Sequence, residues 1–240
     1  MNIVLDIGNT LQKIAIFDND DCVYNQLFPV ITKEIITSIF NSFSIQNSII
    51  SSVAEVNIEV IEFLKTKTNF LPYTHQTRLP ITILYKSVET LGLDRIANAV
   101  GATTLHPNRN VLSIQAGTCL VLDFINEKGA YLGGSISPGF NMRFEMLYKK
   151  TSKLPLLRDH DEHTHFLGKD TQESILCGVK NGISYEIDGF INNYKKEYQE
   201  LIVLFSGGDA SCLQKFIKNT IFAAPNVVLI GLNEIIKYNV

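Results

Sequence analysis

The sequence predicts an α/β protein with two similar lobes. A unit of strand, tight turn and strand occurs twice, over residues 3–17 and again over residues 111–124. Apolar runs of strand length also alternate with stretches of helical periodicity. A duplicated unit that opens each half of the chain indicates two lobes, each with a sheet covered by helices. Turn residues at 106–110 mark the expected boundary, which gives lobes at 1–106 and 107–240.

The first half of the chain continues this alternation after its hairpin. We expect a third strand at 22–28, a helix at 33–43 and a buried strand at 49–53. Residues 56–65 have the spacing of an amphipathic helix, with apolar side chains at Val56, Val60, Ile61 and Leu64. Small and apolar residues at 90–102 predict a further helix that packs closely.

The second half has two further landmarks. An apolar run at 201–205 leads into Ser206-Gly207-Gly208-Asp209, a strand with a glycine turn, and an amphipathic stretch follows at 210–218. Residues 171–194 are expected to form a long helix because apolar side chains recur every fourth position, at Ile175, Val179, Ile183, Ile187 and Ile191.

Composition and charge limit the classes of function. The chain has 240 residues with 21 basic and 24 acidic side chains, so a net charge of −3 gives no broad attraction for nucleic acid or a membrane surface. No apolar run is long enough to cross a bilayer, and the N-terminus lacks signal-peptide features. The four cysteines have no metal-binding spacing. We therefore expect a cytoplasmic protein with free thiols and no nucleic-acid or membrane partner.

The first turn carries residues suited to binding phosphate. Gly8 lets the backbone turn sharply or approach a ligand, and the N–H groups of Gly8, Asn9 and Thr10 can surround phosphate oxygens. Asp6 at the strand end can hold a hydrated magnesium ion. The alternative is a hairpin in which Asp and Asn only cap the turn. Because a glycine and a threonine recur in the second turn, a nucleotide phosphate site is favoured.

Asp94 and Arg95 stand at the predicted start of a helix, and two interpretations are open. Asp94 could serve only as the helix N-cap, with Arg95 solvated. Alternatively, the carboxylate could accept a proton from a substrate hydroxyl while the arginine holds a substrate carboxylate. Further along the chain, Gly207 and Gly208 would let the backbone approach a flat ring or a ribose.

These features resemble the superfamily of actin, sugar kinases and chaperone ATPases, with two phosphate turns and an adenosine turn. Within it, the chain resembles the type III pantothenate kinase family, whose motifs occur here in the same order over nearly the whole chain. The motifs are Asp6-x-Gly8-Asn9-Thr10, Gly92-x-Asp94-Arg95, Gly133-Gly134-x-Ile136-x-Pro138-Gly139, Thr151-x-x-Leu154-Pro155, Gly168-Lys169-Asp170-Thr171, Gly178 and Ser206-Gly207-Gly208-Asp209. This ordered set favours Asp94 as a general base over Asp94 as a cap.

The resemblance implies two ribonuclease H-like lobes, each a mixed sheet flanked by helices, with the active site in the cleft between them. It implies ATP-dependent phosphorylation of pantothenate to 4′-phosphopantothenate, the first step of coenzyme A biosynthesis. It also implies a homodimer that requires Mg²⁺ and a monovalent cation, K⁺ or NH₄⁺. The chain lacks GxxxxGK[ST] and GxGxxG, which argues against P-loop, protein-kinase and Rossmann alternatives.

The resemblance also assigns site residues. For ATP, its phosphates and magnesium they are Asp6, Gly8, Asn9, Thr10, Lys13, Gly117, Thr118, Gly178, Gly207 and Gly208. For pantothenate they are Tyr85, Gly92, Leu93, Asp94, Arg95 and Thr151. At Gly178 and Gly182, close packing along one helix face is an equally good explanation.

The chain departs from the family pattern at Gln115, where relatives have an Asp that the resemblance places at the monovalent cation. An amide keeps an acceptor oxygen but lacks the charge, so we expect weak or absent potassium dependence. A different feature, the segment 159–165, contains three His and three acidic residues. It lacks apolar periodicity and follows Pro155, so we expect a solvated loop rather than a zinc site.

Two other functions remain open from the sequence. The same superfamily fold serves exopolyphosphatase-like hydrolases and sugar or acetate kinases, and Gly92-x-Asp94-Arg95 is the motif that separates pantothenate kinases from them. The chain could also be a nucleotide-binding regulatory relative that has lost catalysis. It has no DNA-binding motif, so direct binding to DNA is not expected.

Overall fold

The computed structural model describes residues 1–157 and 166–240. Its strands are β1 (Asn2–Ile7), β2 (Gln12–Asp18), β3 (Asp21–Phe28), β4 (Asn47–Ser52), β5 (Asn69–Leu71), β6 (Thr82–Ile83), β7 (Val111–Ala116), β8 (Cys119–Ile125), β9 (Ala130–Pro138), β10 (Ile202–Ser206) and β11 (Phe222–Ala223). Its helices are α1 (Lys33–Ser42), α2 (Ile58–Lys67), α3 (Leu93–Leu105), α4 (Phe140–Lys150), α5 (Thr171–Glu197), α6 (Ala210–Leu213) and α7 (Val227–Asn239). Short 3₁₀ turns occur at Val88–Thr90 and Gln214–Phe216.

The first sheet has five strands in the order β3-β2-β1-β4-β5. Strand β1 pairs antiparallel with β2 and parallel with β4, while β3 extends the antiparallel side and β5 the parallel side. The predicted third strand, the two predicted helices and the buried strand between them are confirmed as β3, α1, α2 and β4. Their ends agree with the sequence prediction to within two residues.

Both faces of this sheet are buried because side chains alternate along its central strand. Ile3, Leu5 and Ile7 lie on one face and pack with residues of α1 and α2. Val4 lies on the other face, in a cluster with residues of α3 and α7. A strand covered on both sides reads as a continuous apolar run, which explains the pattern at the start of the chain.

The C-terminal helix α7 packs closely on α3. At Gly101 a Cβ would lie 2.0 Å from the carbonyl oxygen of Val227, and at Gly231 a Cβ would lie 1.8 Å from the carbonyl oxygen of Ala97. Neither position has room for a side chain, so the two helices meet through their backbones. The close packing predicted for the small residues of α3 is confirmed.

The second sheet has six strands in the order β11-β10-β7-β8-β9-β6. Its part β9-β8-β7-β10-β11 repeats the strand order of the first sheet, and β7 pairs parallel with β10 as β1 does with β4. Strands β7 and β8 are joined by a two-residue turn, which only antiparallel neighbours allow, so this sheet is mixed as well. The predicted α/β fold with a duplicated unit is therefore confirmed.

The long helix α5 covers the second sheet. Its apolar residues, four apart, are buried with side chains of β7, β8 and α4, as the sequence predicts. The Asp170 side chain caps this helix by accepting a hydrogen bond from the Glu173 N–H at 2.8 Å. The amphipathic stretch at 210–218 forms only α6 and a 3₁₀ turn, with Leu213 buried in the core of this unit.

The chain forms two compact units. One comprises residues 1–108, 125–133 and 226–240, and the other comprises residues 109–124 and 134–225. The predicted two-part division assigned α7 to the second lobe, whereas its packing on α3 groups it with the first unit. Among the helices of the described residues, none combines the length and the apolar character that crossing a membrane requires.

Candidate active site

Asp6 and Gln115 occupy equivalent positions in the duplicated hairpins. Each is the fifth of six residues in its strand, and β1 and β7 have the same order of buried and partly exposed positions. In the parallel neighbour strand, Ser51 lies beside Asp6 and Ser206 lies beside Gln115. The repeat therefore places a carboxylate in one unit and an amide at the matching position of the other.

The first turn joins β1 to β2. The Gly8 N–H donates to the Leu11 carbonyl at 3.2 Å, and a Cβ on Gly8 would lie 2.9 Å from that oxygen. A side chain at Gly8 would therefore force the turn to shift. Asn9 and Thr10 are exposed at the tip, where a phosphate group has access to them.

Asp6 has a perturbed carboxyl group. Burial raises its pKa from the ordinary value of 3.8 to about 6. Lys13, its antiparallel partner in β2, lowers this pKa, and the negative charge of Asp94 raises it. Lys13 and Asp94 thus both act electrostatically on the Asp6 carboxyl group, and all three are predicted site residues. A divalent cation would relieve the excess of negative charge there.

Gly92 leaves room for the Asp94 carboxylate at the start of α3. The N-cap residue of this helix is Gly92, and no side chain caps it. A Cβ on Gly92 would lie 2.5 Å from Asp94 Oδ1, so a larger residue would displace the carboxylate. The interpretation of Asp94 as the N-cap is therefore wrong. Asp94 is the second residue of α3, within the first turn that the helix dipole makes positive.

Arg95 is buried, with 7% of its surface exposed, so the interpretation of a solvated arginine is also wrong. A guanidinium is stable in the interior only when charged or polar groups surround it. Its place next to Asp94 in α3 gives the start of this helix one acidic and one basic side chain.

Two residues outside the predicted site, Tyr73 and His75, hold the start of α3 by hydrogen bonds. The Tyr73 hydroxyl donates to the Leu93 carbonyl at 2.9 Å, and His75 Nε2 donates to the Leu91 carbonyl at 2.8 Å. Burial, and then the charge of Asp94, raise the pKa of the Tyr73 hydroxyl. Both residues lie between β5 and β6, where no periodicity or motif in the sequence distinguishes them.

Tyr85 follows β6 and lies beside β9. The Leu84 N–H donates to the Tyr131 carbonyl at 2.9 Å, and the ring centroids of Tyr85 and Tyr131 are 6.0 Å apart. Gly133 has a φ of +122°, and a Cβ there would lie 3.6 Å from the Tyr85 ring. The ring is therefore supported on one side and only partly exposed.

The second turn is tighter than the first. The Gly117 N–H donates to the Cys119 carbonyl at 3.1 Å, two residues on, and Thr118 is exposed at the tip. Gly139 packs against this turn, because a Cβ on it would lie 2.0 Å from the Gly117 carbonyl oxygen. Gly117 itself has room for a side chain, since the nearest atom to its Cβ position is 4.0 Å away.

The glycine turn after β10 touches the same strand end. Gly207 has a φ of +101°, and a Cβ there would lie 2.1 Å from the Ala116 carbonyl oxygen, so the position requires glycine. The Asp209 N–H donates to that carbonyl at 3.0 Å. At Gly208, in contrast, no heavy atom of residues 1–157 or 166–240 lies within 4 Å of a Cβ position. Open space therefore adjoins the second glycine of the pair.

Gly178 and Gly182 in α5 also adjoin open space. Among the described residues, no heavy atom of another element lies within 4 Å of a Cβ at either position. Close packing does not explain these glycines.

Thr151 ends α4, and its Oγ1 donates to the Leu147 carbonyl at 2.8 Å. The segment 159–165, considered above as a metal site, lies outside the described residues.

Asp6 fits a magnesium ion. Mg²⁺ keeps several waters and is held by one or two carboxylates together with substrate phosphates, so a single carboxylate beside a phosphate turn suffices. In residues 1–157 and 166–240, no group of three or more His, Cys, Asp or Glu side chains could hold a metal by itself.

Gln115 is a poor fit to the monovalent cation that the resemblance implies. Its Nε2 atom is buried and has no hydrogen-bond partner among the described residues. Alkali cations are bound by oxygen atoms, and Gln115 offers one neutral carbonyl oxygen and no charge, so it binds a cation less well than a carboxylate would.

Comparison with known proteins decides the family. The family model for type III pantothenate kinase matches residues 2–193. The chain belongs to the type III pantothenate kinase family. It is 42% identical over 240 residues to the type III pantothenate kinase of Cytophaga hutchinsonii, with 100% of both chains covered. It is 38% identical over 240 residues to the Bacteroides fragilis (strain YCH46) member, covering 100% of this chain and 98% of the relative. The family indicated by the ordered motifs is thus confirmed.

Solved structures share the fold. A Campylobacter jejuni protein assigned to the Baf family of transcriptional activators has a TM-score of 0.61 and 22% identity, covering 99% of this chain and 98% of its own. A Sinorhizobium meliloti protein assigned as a 2-dehydro-3-deoxygalactonokinase has a TM-score of 0.59 and 11% identity, covering 100% and 99%. At these identities the likeness shows the fold alone, so it does not favour the regulatory alternative.

Proposed function

We propose that this chain phosphorylates the primary hydroxyl of pantothenate with ATP, giving 4′-phosphopantothenate for coenzyme A biosynthesis. Family membership supports the substrate and the reaction, and a kinase of this family uses ATP and a metal ion. The observation that carries the mechanism is the grouping of Asp6, Lys13 and Asp94, because it combines a place for the metal with a base for the hydroxyl.

The first turn binds the phosphate that is transferred. Asp6 holds magnesium, and Gly8, Asn9 and Thr10 provide backbone and side-chain donors for phosphate oxygens. Magnesium, when bound, neutralises the charge that develops on the transferred group. Lys13 adds a fixed positive charge at the same strand end.

The second turn and the glycines bind the rest of the nucleotide. Gly117 and Thr118, in the turn that follows the uncharged strand β7, contact phosphate. Gly178, Gly207 and Gly208 contact adenosine, which the open space beside Gly178 and Gly208 supports. No step of the reaction is assigned to a monovalent cation.

Asp94 is the general base. Its carboxylate accepts the proton of the pantothenate hydroxyl while that oxygen forms a bond to the terminal phosphorus of ATP. The bond from this phosphorus to the bridging oxygen breaks, and ADP leaves. The transfer is direct and requires no phosphoenzyme. Tyr73 and His75 keep the start of α3 in place, because they bond the carbonyl of Leu93, its first residue, and that of Leu91, two residues earlier.

The pantothenate carboxylate binds Arg95, whose guanidinium is fixed by burial. The Tyr85 ring and the backbone at Gly92 and Leu93 shape the rest of this site. Thr151 contacts the same substrate, although its hydroxyl also donates to the Leu147 carbonyl in α4.

We also propose a homodimer in which residues 138–155 lie near the partner. Large apolar side chains are exposed in and next to this segment: Ile136, Met146, Tyr148 and Leu156 are each between 41% and 59% exposed. Exposed apolar side chains of this kind are typical of protein interfaces. Light scattering should give the mass of a dimer, and an active monomer at the assay concentration would contradict this proposal.

We place the enzyme in the cytoplasm. Its four cysteines are free thiols, which suits a reducing compartment.

A coupled assay with purified protein, ATP, magnesium and pantothenate tests the proposed function. We expect ADP release that requires pantothenate and does not occur with glucose or acetate, the acceptors of other kinases in the superfamily. ATP hydrolysis that is independent of pantothenate would contradict the proposal. Absence of any turnover, with nucleotide binding retained, would instead support the regulatory alternative.

A further inference from the structure

The side chain of Gln115 ends in a hydrogen-bond donor that the protein does not use. Its Nε2 is buried, and no acceptor among the described residues reaches it. A buried amide N–H without an acceptor is unfavourable, and the great majority of such groups in folded proteins are paired. An unpaired donor at a strand end, directly before a turn, therefore indicates a position that a ligand completes.

The two backbone carbonyls that flank Gln115 each accept a hydrogen bond from another residue. The carbonyl of Ile114 accepts from Ser206 Oγ at 3.3 Å, and the carbonyl of Ala116 accepts from the Asp209 N–H at 3.0 Å. Residues 111–119 contain no acidic side chain that could turn toward the amide. As the side chain lies, no acceptor among the described residues completes the amide, and a bound ligand could supply one.

The internal repeat indicates which acceptor this is. Gln115 stands where the first hairpin has Asp6. Each residue is followed two positions later by the glycine of a turn that also contains a threonine. A phosphoryl oxygen is an anionic acceptor that this N–H can bind.

We propose that Gln115 Nε2 donates a hydrogen bond to a phosphoryl oxygen of the bound nucleotide. This inference rests on the proposed function in so far as the nucleotide is ATP. Gln115 is a positioning residue: it holds the phosphate by a neutral hydrogen bond at the second turn, and it makes binding independent of potassium.

Calorimetry of nucleotide binding without pantothenate tests this proposal. The variants are Gln115→Met, which removes the donor at similar volume, and Gln115→Glu, which keeps the shape but offers only acceptors. Gln199→Met, at an exposed position of the same unit, is the matched control. Each protein is titrated with Mg-ATP and with adenosine, in potassium chloride and in choline chloride of equal ionic strength.

We expect Gln115→Met to bind Mg-ATP about tenfold to a hundredfold more weakly than the unmodified protein, the range for a hydrogen bond to a charged group. Gln115→Glu should bind more weakly still, because a negative charge would face the phosphate. Adenosine binding and the control should be unchanged. The Tm of ligand-free Gln115→Met should equal or exceed that of the unmodified protein, because an unpaired buried donor is removed.

Three results would overturn the proposal: equal affinity of Gln115→Met and the unmodified protein for Mg-ATP, equal losses for ATP and adenosine, or ATP binding by the unmodified protein that requires potassium. Should Gln115→Met fail to fold, the Gln115→Glu titration gives the same decision. Because pantothenate is absent, failure to phosphorylate it leaves this result intact. Failure of the unmodified protein to bind Mg-ATP would contradict both proposals.

Discussion

The hairpins β1–β2 and β7–β8 have the same place in their sheets, the same burial along their first strand and a serine beside its fifth residue. In the first hairpin that residue is Asp6, with Lys13 and Asp94 close enough to change its pKa. In the second it is Gln115, within a stretch from 111 to 119 that has no charged side chain. The backbone is therefore duplicated, while the charged side chains of the proposed phosphate site belong to one copy.

The largest effect should come from removing the proposed general base, Asp94. We expect Asp94→Asn to reduce turnover at least about a hundredfold, because an amide cannot accept the hydroxyl proton. Binding of ATP and the Tm should stay close to those of the unmodified protein. Asp21→Asn, at an exposed position of β3, is the control and should keep full activity. Near-normal turnover by Asp94→Asn would reject the assignment of the base.

The second prediction concerns the stability cost of Asp6. Because its folded pKa is raised to about 6, the folded state binds the proton more tightly than the unfolded chain does, and stability falls as the pH rises from about 4 to 6. A rise from 3.8 to about 6 corresponds to about 3 kcal/mol above that range. Without metal, Asp6→Asn should therefore have a higher Tm than the unmodified protein at pH 8 and an equal Tm at pH 4.

Thermal unfolding in EDTA at both pH values measures this difference. Gln115→Asn changes the equivalent position of the second hairpin without altering a charge, so its Tm difference should not depend on pH. A pH-independent difference for Asp6→Asn would contradict the proposed desolvation of Asp6.

A smaller effect on stability should follow from the different room for a side chain at the glycines of the two turns. Gly8→Ala should lower the free energy of unfolding by about 1 kcal/mol, because its Cβ would press on the Leu11 carbonyl oxygen at 2.9 Å. Gly117→Ala should change it by less than about 0.5 kcal/mol, since its Cβ would meet no atom closer than 4.0 Å. Urea denaturation of both variants measures the difference, and equal losses would show that the turns do not differ in this way.

Much of this fold could be predicted from the sequence because its signals are local. The apolar runs of β1 and β7 and the four-residue spacing in α5 follow from burial along one strand or one helix. The packing of α7 on α3 could not be predicted. It depends on Gly101 and Gly231, two glycines 130 positions apart whose contact no local pattern records.

The candidate site was predictable in its motifs but not in its geometry. The sequence motif identifies Gly92 and Asp94, yet only the structure shows that Gly92 is the N-cap and that it makes room for the carboxylate. Tyr73 and His75 donate hydrogen bonds to backbone carbonyls that are distant in the sequence, so no local pattern identifies them as part of the site. The unpaired Nε2 of Gln115 is likewise a property of its surroundings.

The rate of pantothenate phosphorylation as a function of potassium concentration tests the central claim most directly, that the second phosphate turn works without charge. The unmodified protein and Gln115→Asp are compared at constant ionic strength, with choline as the replacing cation. We expect the unmodified protein to show little or no response, and Gln115→Asp to gain a saturable one because a carboxylate is a better ligand for a cation than an amide. A strong, saturable potassium requirement in the unmodified protein, equal to that of Gln115→Asp, would contradict the account.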